Sequence, residues 1–206
     1  MTTGEAGRQI PSIGHTCTLF PVVLKVPDHI RELPPPQRVK TLGGLARESV
    51  LLSARHTGVT MGDFAKGSQG QPLPWRGVHW SLTHKPSHVA GVVSFDPVGI
   101  DIEVVKPVSS GLFRRICSKR EARLFHAIPR EIVFFRCFTA KEAVLKRHGV
   151  GLSGLKDVSV VAVSGPLHLG VSYKGLFTRV EHFMMAGHLA SIAGIKAHVV
   201  WTQGAG

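Results

Sequence analysis

Two stretches of this sequence say most about its fold. They are Val98-Gly99-Ile100-Asp101-Ile102-Glu103 and, further along the chain, Phe138-Thr139-Ala140-Lys141-Glu142-Ala143-Val144-Leu145-Lys146. The first stretch predicts a strand, in which Asp101 and Glu103, at i and i+2, leave the same face. The second predicts a helix, and a helical wheel places Glu142 in an apolar stripe with Phe135, Phe138 and Leu145. A carboxylate in an apolar stripe is costly unless a cation or hydrogen bonds compensate it. These three carboxylates predict a site for a hard divalent cation, foremost Mg²⁺.

Composition indicates a folded chain with a polyanionic partner. The 206 residues are 43% hydrophobic, which is enough for a packed core, and 25 Lys and Arg against 13 Asp and Glu leave a net charge of +12. Such a charge favours fast association with an anionic molecule. The basic residues are scattered, without a basic arm or a ribonucleoprotein aromatic motif, so nucleic acid is not the predicted partner.

The cysteines and the hydropathy pattern indicate a compartment. Cys17, Cys117 and Cys137 are widely separated and odd in number, which argues against a disulfide framework or a zinc knuckle. No stretch approaches the roughly 20 apolar residues of a membrane span, and the first residues lack a signal-peptide profile. We therefore expect a soluble cytoplasmic protein without membrane association.

Local patterns predict a mixed α+β chain. A helix is expected over 37–54, after a run of prolines, and a longer one over about 130–147. Strand-like runs at 79–83, 88–95 and 98–104 lie between them, and further strands are expected over 158–163, 179–185 and 188–195. Ser118 and Glu121 match a capping box for a short helix between the strands and the long helix.

A resemblance to a known family enters at these motifs. Gly99-Ile100-Asp101-Ile102-Glu103 with Phe138-x-x-Lys141-Glu142-Ala143-x-x-Lys146 resembles the signature pair of the Sfp-type 4′-phosphopantetheinyl transferases. Trp80-Ser81-Leu82-Thr83-His84 resembles the family's strand that ends in Ser-His. Weaker similarities lie at Gly70-Gln71-Pro72 and Gly149-Val150-Gly151-Leu152-Ser153. The resemblance covers about residues 38 to 153, with the motifs in the family's order.

The resemblance implies a fold and a division of the chain. We expect two pseudo-symmetric α+β halves, each a small, mostly antiparallel sheet with packed helices. Residues 1–102 would form the half that binds coenzyme A, and 103–206 the half that binds the metal and the carrier protein. The active site would lie at their interface, in one compact monomer.

The resemblance also implies an activity: transfer of 4′-phosphopantetheine from coenzyme A to a serine of an acidic apo acyl or peptidyl carrier protein, with release of 3′,5′-ADP. Mg²⁺, with Mn²⁺ as an alternative, would be held by Asp101, Glu103 and Glu142. Glu142 or a metal-bound water would be the base, and Lys146 would assist the departing phosphate. The residues implied for coenzyme A are Arg38, Thr83, His84, Lys141 and Lys146.

A carrier-binding surface is predicted just beyond the metal strand, where apolar and basic residues alternate. That mixture suits an acidic helix with an apolar stripe, although an ordinary amphipathic helix and loop has the same composition. The residues of this surface are Val105, Leu112, Phe113, Arg114, Arg115 and Arg120.

Other interpretations of the same residues stay open at this point. Glu142 and Lys146 could be an ordinary i, i+4 ion pair. His84 and His88 have a zinc-like spacing, but Pro86 between them breaks the helix that such a pair usually needs. A metal-dependent phosphohydrolase would also use the carboxylates, and a nucleic-acid-binding module would explain the charge. Two departures from the family are Phe138, where many relatives have Trp, and Gln71, where lysine is frequent.

Overall fold

The computed structural model describes residues 18–194 and 198–205. Cys17 and the segment before it lie outside the described residues. The helices are α1 (Asp28–Arg31), α2 (Pro35–Thr57), α3 (Ser110–Ile116), α4 (Lys119–Ala122), α5 (Arg130–Arg147) and a 3₁₀ helix (Leu152–Asp157). The strands are β1 (Thr18–Leu19), β2 (Val22–Lys25), β3 (His79–His84), β4 (His88–Ser94), β5 (Gly99–Val104), β6 (Val158–Val163), β7 (His168–Tyr173), β8 (Leu176–Met185), β9 (His188–Ala193), β10 (His198–Val199) and β11 (Thr202–Ala205).

Helix α2 covers one face of a four-stranded sheet with the order β11-β2-β4-β3. The helix starts at Pro35, earlier than predicted, because prolines are tolerated in the first turn, where the backbone N–H has no intrahelical acceptor. It ends at Gly58, whose left-handed φ of 74° suits a residue without Cβ. Helix and sheet touch closely at Gly91, where a Cβ would come within 2.6 Å of the backbone nitrogen of Val50.

Helix α5 packs against a five-stranded antiparallel sheet with the order β5-β9-β8-β7-β6. Gly99 allows the closest approach, since a Cβ there would lie 1.9 Å from the carbonyl oxygen of Ala143. The aromatic residues Phe134 and Phe135 of α5 are buried in the core of this layer. The missing side chain at Gly99 therefore sets the distance between β5 and α5, the two elements that carry the predicted carboxylates.

The edges of the two sheets meet along β3 and β5. The backbone N–H of Ile100 donates to Ser81 Oγ at 3.1 Å, and its carbonyl accepts from Lys146 Nζ at 3.0 Å. Side chains thus satisfy the edge of β5 that pairs with no other strand among the described residues. The architecture is α+β, with mostly antiparallel sheets and helices, as predicted.

The chain does not run simply from one sheet into the other. The whole of β5 pairs with β9, while β11, from the last residues, pairs in parallel with β2. The predicted boundary between residues 102 and 103 lies inside β5, and the division into two pseudo-symmetric halves stays a prediction.

Cys117 and Cys137 are buried free thiols. Within the part of the chain that the structure describes, no helix has both the length and the apolar character needed to cross a membrane.

Two histidines with lowered pKa values are expected to make the fold sensitive to acid. Burial, then His188, Arg31 and Lys25, lower the pKa of His88 to about 4. Burial, then Arg136 and His168, lower that of His182 to about 3. Because both folded-state pKa values lie below the ordinary 6.5, the fold favours the neutral rings, and their stabilisation is lost as the pH falls from about 6.5 toward 4.

We therefore expect the melting temperature to fall between pH 7 and pH 5 in differential scanning calorimetry. His88→Gln, which cannot take up a proton, should reduce that fall relative to the unmodified chain. An equally steep fall in the variant would show that His88 does not contribute.

Candidate active site

A cavity of about 310 Å³ lies where the end of β3, the strand β5 and the helix α5 meet. Strand alternation turns Asp101 and Glu103 to one side of β5, and the helical period turns Glu142 and Lys146, one turn apart, toward the same space. The structure thus brings together the three predicted carboxylates and the predicted lysine. The lining residues are Leu82, Thr83, His84, Lys85, Asp101, Glu103, Phe138, Glu142, Lys146 and Leu152.

Asp101 is the anchor of this cluster. Its Oδ1 accepts hydrogen bonds from Lys146 Nζ at 2.7 Å and from Thr83 Oγ1 at 3.0 Å. The residue is only 4% exposed, and its Oδ2 is buried without a hydrogen-bond partner among the described residues. Thr83, predicted to contact coenzyme A, donates its hydroxyl proton to Asp101 in this structure. Asp101 therefore keeps one oxygen for a further cation or donor.

Glu103 is paired with a lysine that was not among the predicted site residues. Lys85 Nζ lies 2.6 Å from Glu103 Oε1. Burial raises the pKa of Glu103, although the hydrogen bond from Lys85 opposes the shift. The available signal for this lysine was strand alternation continued one residue past the end of β3, since Lys85 follows Thr83 at i+2.

Glu142 is the carboxylate without a cationic contact among the described residues. Its Oε1 is buried and has no hydrogen-bond partner there. Burial and then the charge of Asp101 raise its pKa. A carboxylate in this state is closer to accepting a proton at neutral pH than an exposed one.

His84 lies at the mouth of the cavity. Burial, followed by the charges of Lys146, Lys85 and Lys66, lowers its pKa. The neutral ring can donate one hydrogen bond, and the neighbouring lysines make this edge of the cavity attractive to anions.

A second cavity, of about 230 Å³, shares Leu82, Glu142 and Lys146 with the first. It brings together two weaker sequence similarities, because Gly70-Gln71-Pro72 and Gly149-Val150-Gly151 both line it. The Gln71 side chain accepts a hydrogen bond from the backbone of Gln69 at 3.1 Å. Lys66 and Ser81, which were not predicted as site residues, also line this space.

Lys141 lines neither of these two cavities, so the structure does not bring it to the place where the resemblance implied a contact with coenzyme A. Its Nζ lies 2.7 Å from Glu121 Oε1 and donates to the carbonyl oxygen of Ile116 at 2.7 Å. Both side chains of the pair are about 5% exposed or less. Burial acts to raise the pKa of Glu121, but hydrogen bonds from Lys141, Val160 and Ser118 lower it overall. Lys141 is therefore committed to the interior.

Arg38 is also not brought to either cavity. It lies near the start of α2 and donates to the carbonyl oxygen of Arg31 at 3.1 Å. The side chain is half-buried and free to contact a ligand that extends beyond the described cavities, so its contact with coenzyme A stays a prediction.

The predicted carrier surface is only partly exposed. Arg114, Arg115 and Arg120 are exposed, and Leu112 is 43% exposed. Val105 and Phe113 are half-buried and pack against the core beside α5. The apolar contribution of this surface to a partner would therefore come mainly from Leu112.

The side chains at the cavity suit a divalent cation by their chemistry, although they do not form a finished metal site. Within residues 18–194 and 198–205, no group of three or more His, Cys, Asp or Glu is arranged as a finished metal site. Two buried carboxylate oxygens in the cavity, Asp101 Oδ2 and Glu142 Oε1, nevertheless have no partner there. Carboxylate oxygens are the ligands that Mg²⁺ prefers. The donor set therefore fits Mg²⁺.

Comparison with known proteins shows which family the part of the chain around this site resembles. Residues 97–183, which include Asp101, Glu103 and Glu142, match the family model of the 4′-phosphopantetheinyl transferase superfamily. The chain is 35% identical over 78 residues to 4′-phosphopantetheinyl transferase ffp of Bacillus subtilis, with 36% of this chain and 35% of that protein covered. It is 32% identical over 78 residues to 4′-phosphopantetheinyl transferase Sfp of Bacillus subtilis (strain 168), with 36% and 35% covered.

A longer match extends to a cyanobacterial protein. The chain is 30% identical over 104 residues to 4′-phosphopantetheinyl transferase HetI of Nostoc sp., with 45% of this chain and 44% of that protein covered. The matches thus span less than half the length of these relatives. Through residues 97–183, the chain is similar to the 4′-phosphopantetheinyl transferase superfamily, and its matched relatives include Sfp-type members of that family.

Proposed function

We propose that this chain is a 4′-phosphopantetheinyl transferase that moves the 4′-phosphopantetheine of coenzyme A to a serine of an apo acyl or peptidyl carrier protein and releases 3′,5′-ADP. The observation that carries the proposal is the convergence of Asp101, Glu103, Glu142 and Lys146 on one cavity within the family segment. The active site would lie where the edges of the two sheets meet.

A Mg²⁺ ion held by Asp101, Glu103 and Glu142 would, when bound, neutralise the pyrophosphate of coenzyme A and stabilise charge on the leaving phosphate. Lys146 would add a positive charge of its own beside that of the cation, because its ammonium lies beside Asp101 and faces the same cavity. His84 would bind a phosphate oxygen through its ring, in a region where lysines surround it. Arg38 would contact the 3′-phosphate at the outer end of the ligand.

Glu142 is suited to take the proton of the acceptor serine, with a metal-bound water as the alternative base. The serine oxygen forms the new bond to the pantetheine phosphorus, while the bond from that phosphorus to the bridging oxygen of 3′,5′-ADP breaks. The serine proton passes to the Glu142 carboxylate, whose raised pKa makes it a better base at neutral pH. Lys146 can donate a hydrogen bond to the departing oxygen.

The carrier would approach over the basic surface formed by Leu112, Arg114, Arg115 and Arg120, with Phe113 and Val105 supporting it from the core. Because the chain carries a net charge of +12, an acidic partner would be attracted over long distance at low salt.

The test is mass spectrometry of apo-carriers incubated with the enzyme, coenzyme A and Mg²⁺. We expect a fatty-acid, polyketide or nonribosomal-peptide carrier to gain the mass of one phosphopantetheine group, and the same carrier with its acceptor serine replaced by alanine to gain nothing. Phosphate release from coenzyme A without a carrier would instead indicate a phosphohydrolase. Failure to modify every class of carrier would contradict the proposal.

A further inference from the structure

The cavity balances its charges internally with lysines. Asp101 is in contact with Lys146, and Glu103 is in contact with Lys85, at distances of 2.7 Å and 2.6 Å respectively. Glu142 completes the set of carboxylates. Two ammonium groups therefore occupy carboxylate oxygens in the space where the proposed function requires a divalent cation.

The two lysines differ in what they leave free. Lys146 also donates to the carbonyl oxygen of Ile100, and Asp101 retains its unpartnered Oδ2. A cation can reach Asp101 without displacing Lys146. The ammonium of Lys85, in contrast, has Glu103 Oε1 as its single ion-pair partner among the described residues. Glu103 is therefore the carboxylate at which a cation meets a competitor.

Lys85 can move without disturbing the fold. Its backbone N–H donates to the carbonyl oxygen of His88 at 2.7 Å, which holds the turn between β3 and β4. The side chain is 29% exposed and stands at the mouth of the cavity. Only its flexible four-carbon stem has to swing for the ammonium to leave.

We propose that Lys85 is an internal competitor for the divalent cation: its ammonium occupies Glu103 Oε1 when the cation is absent and leaves that oxygen when the cation binds. The inference rests on the proposed function for the cation itself. Mg²⁺ binds oxygen at about 2.0–2.1 Å, so an ammonium at hydrogen-bond distance from the same oxygen would be crowded and repelled. The pair therefore lowers cation affinity while keeping the carboxylate compensated in the free protein.

Release of Lys85 also has a consequence for the anionic substrate. The freed ammonium would remain beside His84, at the edge of the cavity that the lysines make attractive to anions. Cation binding at Glu103 would thus supply one more positive charge for a phosphate.

The test is calorimetric titration of the full chain with Mg²⁺, without coenzyme A or carrier. Lys85→Met should bind Mg²⁺ about fivefold more tightly than the unmodified chain, as expected from the loss of one ion pair. Lys66→Met is the matched control, because Lys66 lines the neighbouring cavity but has no ion pair with a described carboxylate. Its affinity for Mg²⁺ should change by less than about twofold, since solvent and salt screen its charge.

A second measurement protects the test from a folding defect. Lys85→Gln retains a polar head and should also bind Mg²⁺ more tightly, and both Lys85 variants should gain more in melting temperature on addition of Mg²⁺ than the unmodified chain. Equal or weaker Mg²⁺ binding by both variants would overturn the inference and leave the proposed transferase function standing. Absence of saturable binding in all proteins would overturn the inference together with the proposed metal site.

Discussion

Glu142→Gln is expected to lower kcat for phosphopantetheinyl transfer by about 10²–10³-fold, the usual cost of one lost electrostatic contact at a reacting centre. The substitution removes the proposed base and one ligand of the proposed cation, while the side chain keeps its size. Its amide cannot accept the serine proton. Steady-state kinetics with a carrier and coenzyme A measure the effect.

The same variant should not lose stability. Burial and the charge of Asp101 raise the pKa of Glu142 in the folded protein. The ionised carboxylate therefore lowers stability once the pH rises above the pKa that Glu142 has in the unfolded chain. Removal of that charge should leave the melting temperature at pH 7 unchanged or higher when no metal is present. Loss of activity together with retained stability would identify Glu142 as a residue kept for function.

Glu131→Gln is the matched control. Glu131 lies in the first turn of the same helix and is not among the residues that line the cavity. It should retain the kcat of the unmodified chain. A Glu142→Gln enzyme with near-normal kcat at saturating Mg²⁺ would contradict the role of Glu142 as base and ligand.

Lys141→Met is expected to destabilise the fold by about 3–5 kcal/mol, because it leaves the buried Glu121 carboxylate without its cation. Glu121 would keep the backbone N–H groups of Ser118 and Val160 as donors. Those bonds compensate only part of the charge. Urea unfolding monitored by circular dichroism measures the difference in the free energy of unfolding.

Lys119→Met is the control for this experiment, since Lys119 is exposed on α4 beside the pair. A surface change of this kind should shift the free energy of unfolding by less than about 0.5 kcal/mol. At temperatures where Lys141→Met remains folded, it should keep the KM for coenzyme A of the unmodified chain. A raised KM with unchanged stability would instead support the predicted contact of Lys141 with coenzyme A.

The local sequence pattern was sufficient to predict which way the three carboxylate side chains point. The period of a strand places Asp101 and Glu103 on one face, and the period of a helix turns Glu142 inward, whatever the rest of the chain does. The capping box of Ser118 and Glu121 was also readable from four neighbouring residues, and both of its hydrogen bonds form. Such features depend on backbone geometry within one element, so the sequence alone determined them.

The partners of those charges were decided by tertiary structure. Lys141 and Lys146 belong to one helix and lie roughly 140° apart around it, so each faces a different neighbour. Packing of α4 brings Glu121 next to Lys141, and the close contact at Gly99 brings Asp101 next to Lys146. Lys85 reaches Glu103 only because the edges of two sheets meet. Ion pairs between distant residues depend on how whole elements pack, and no local period of the sequence contains that information.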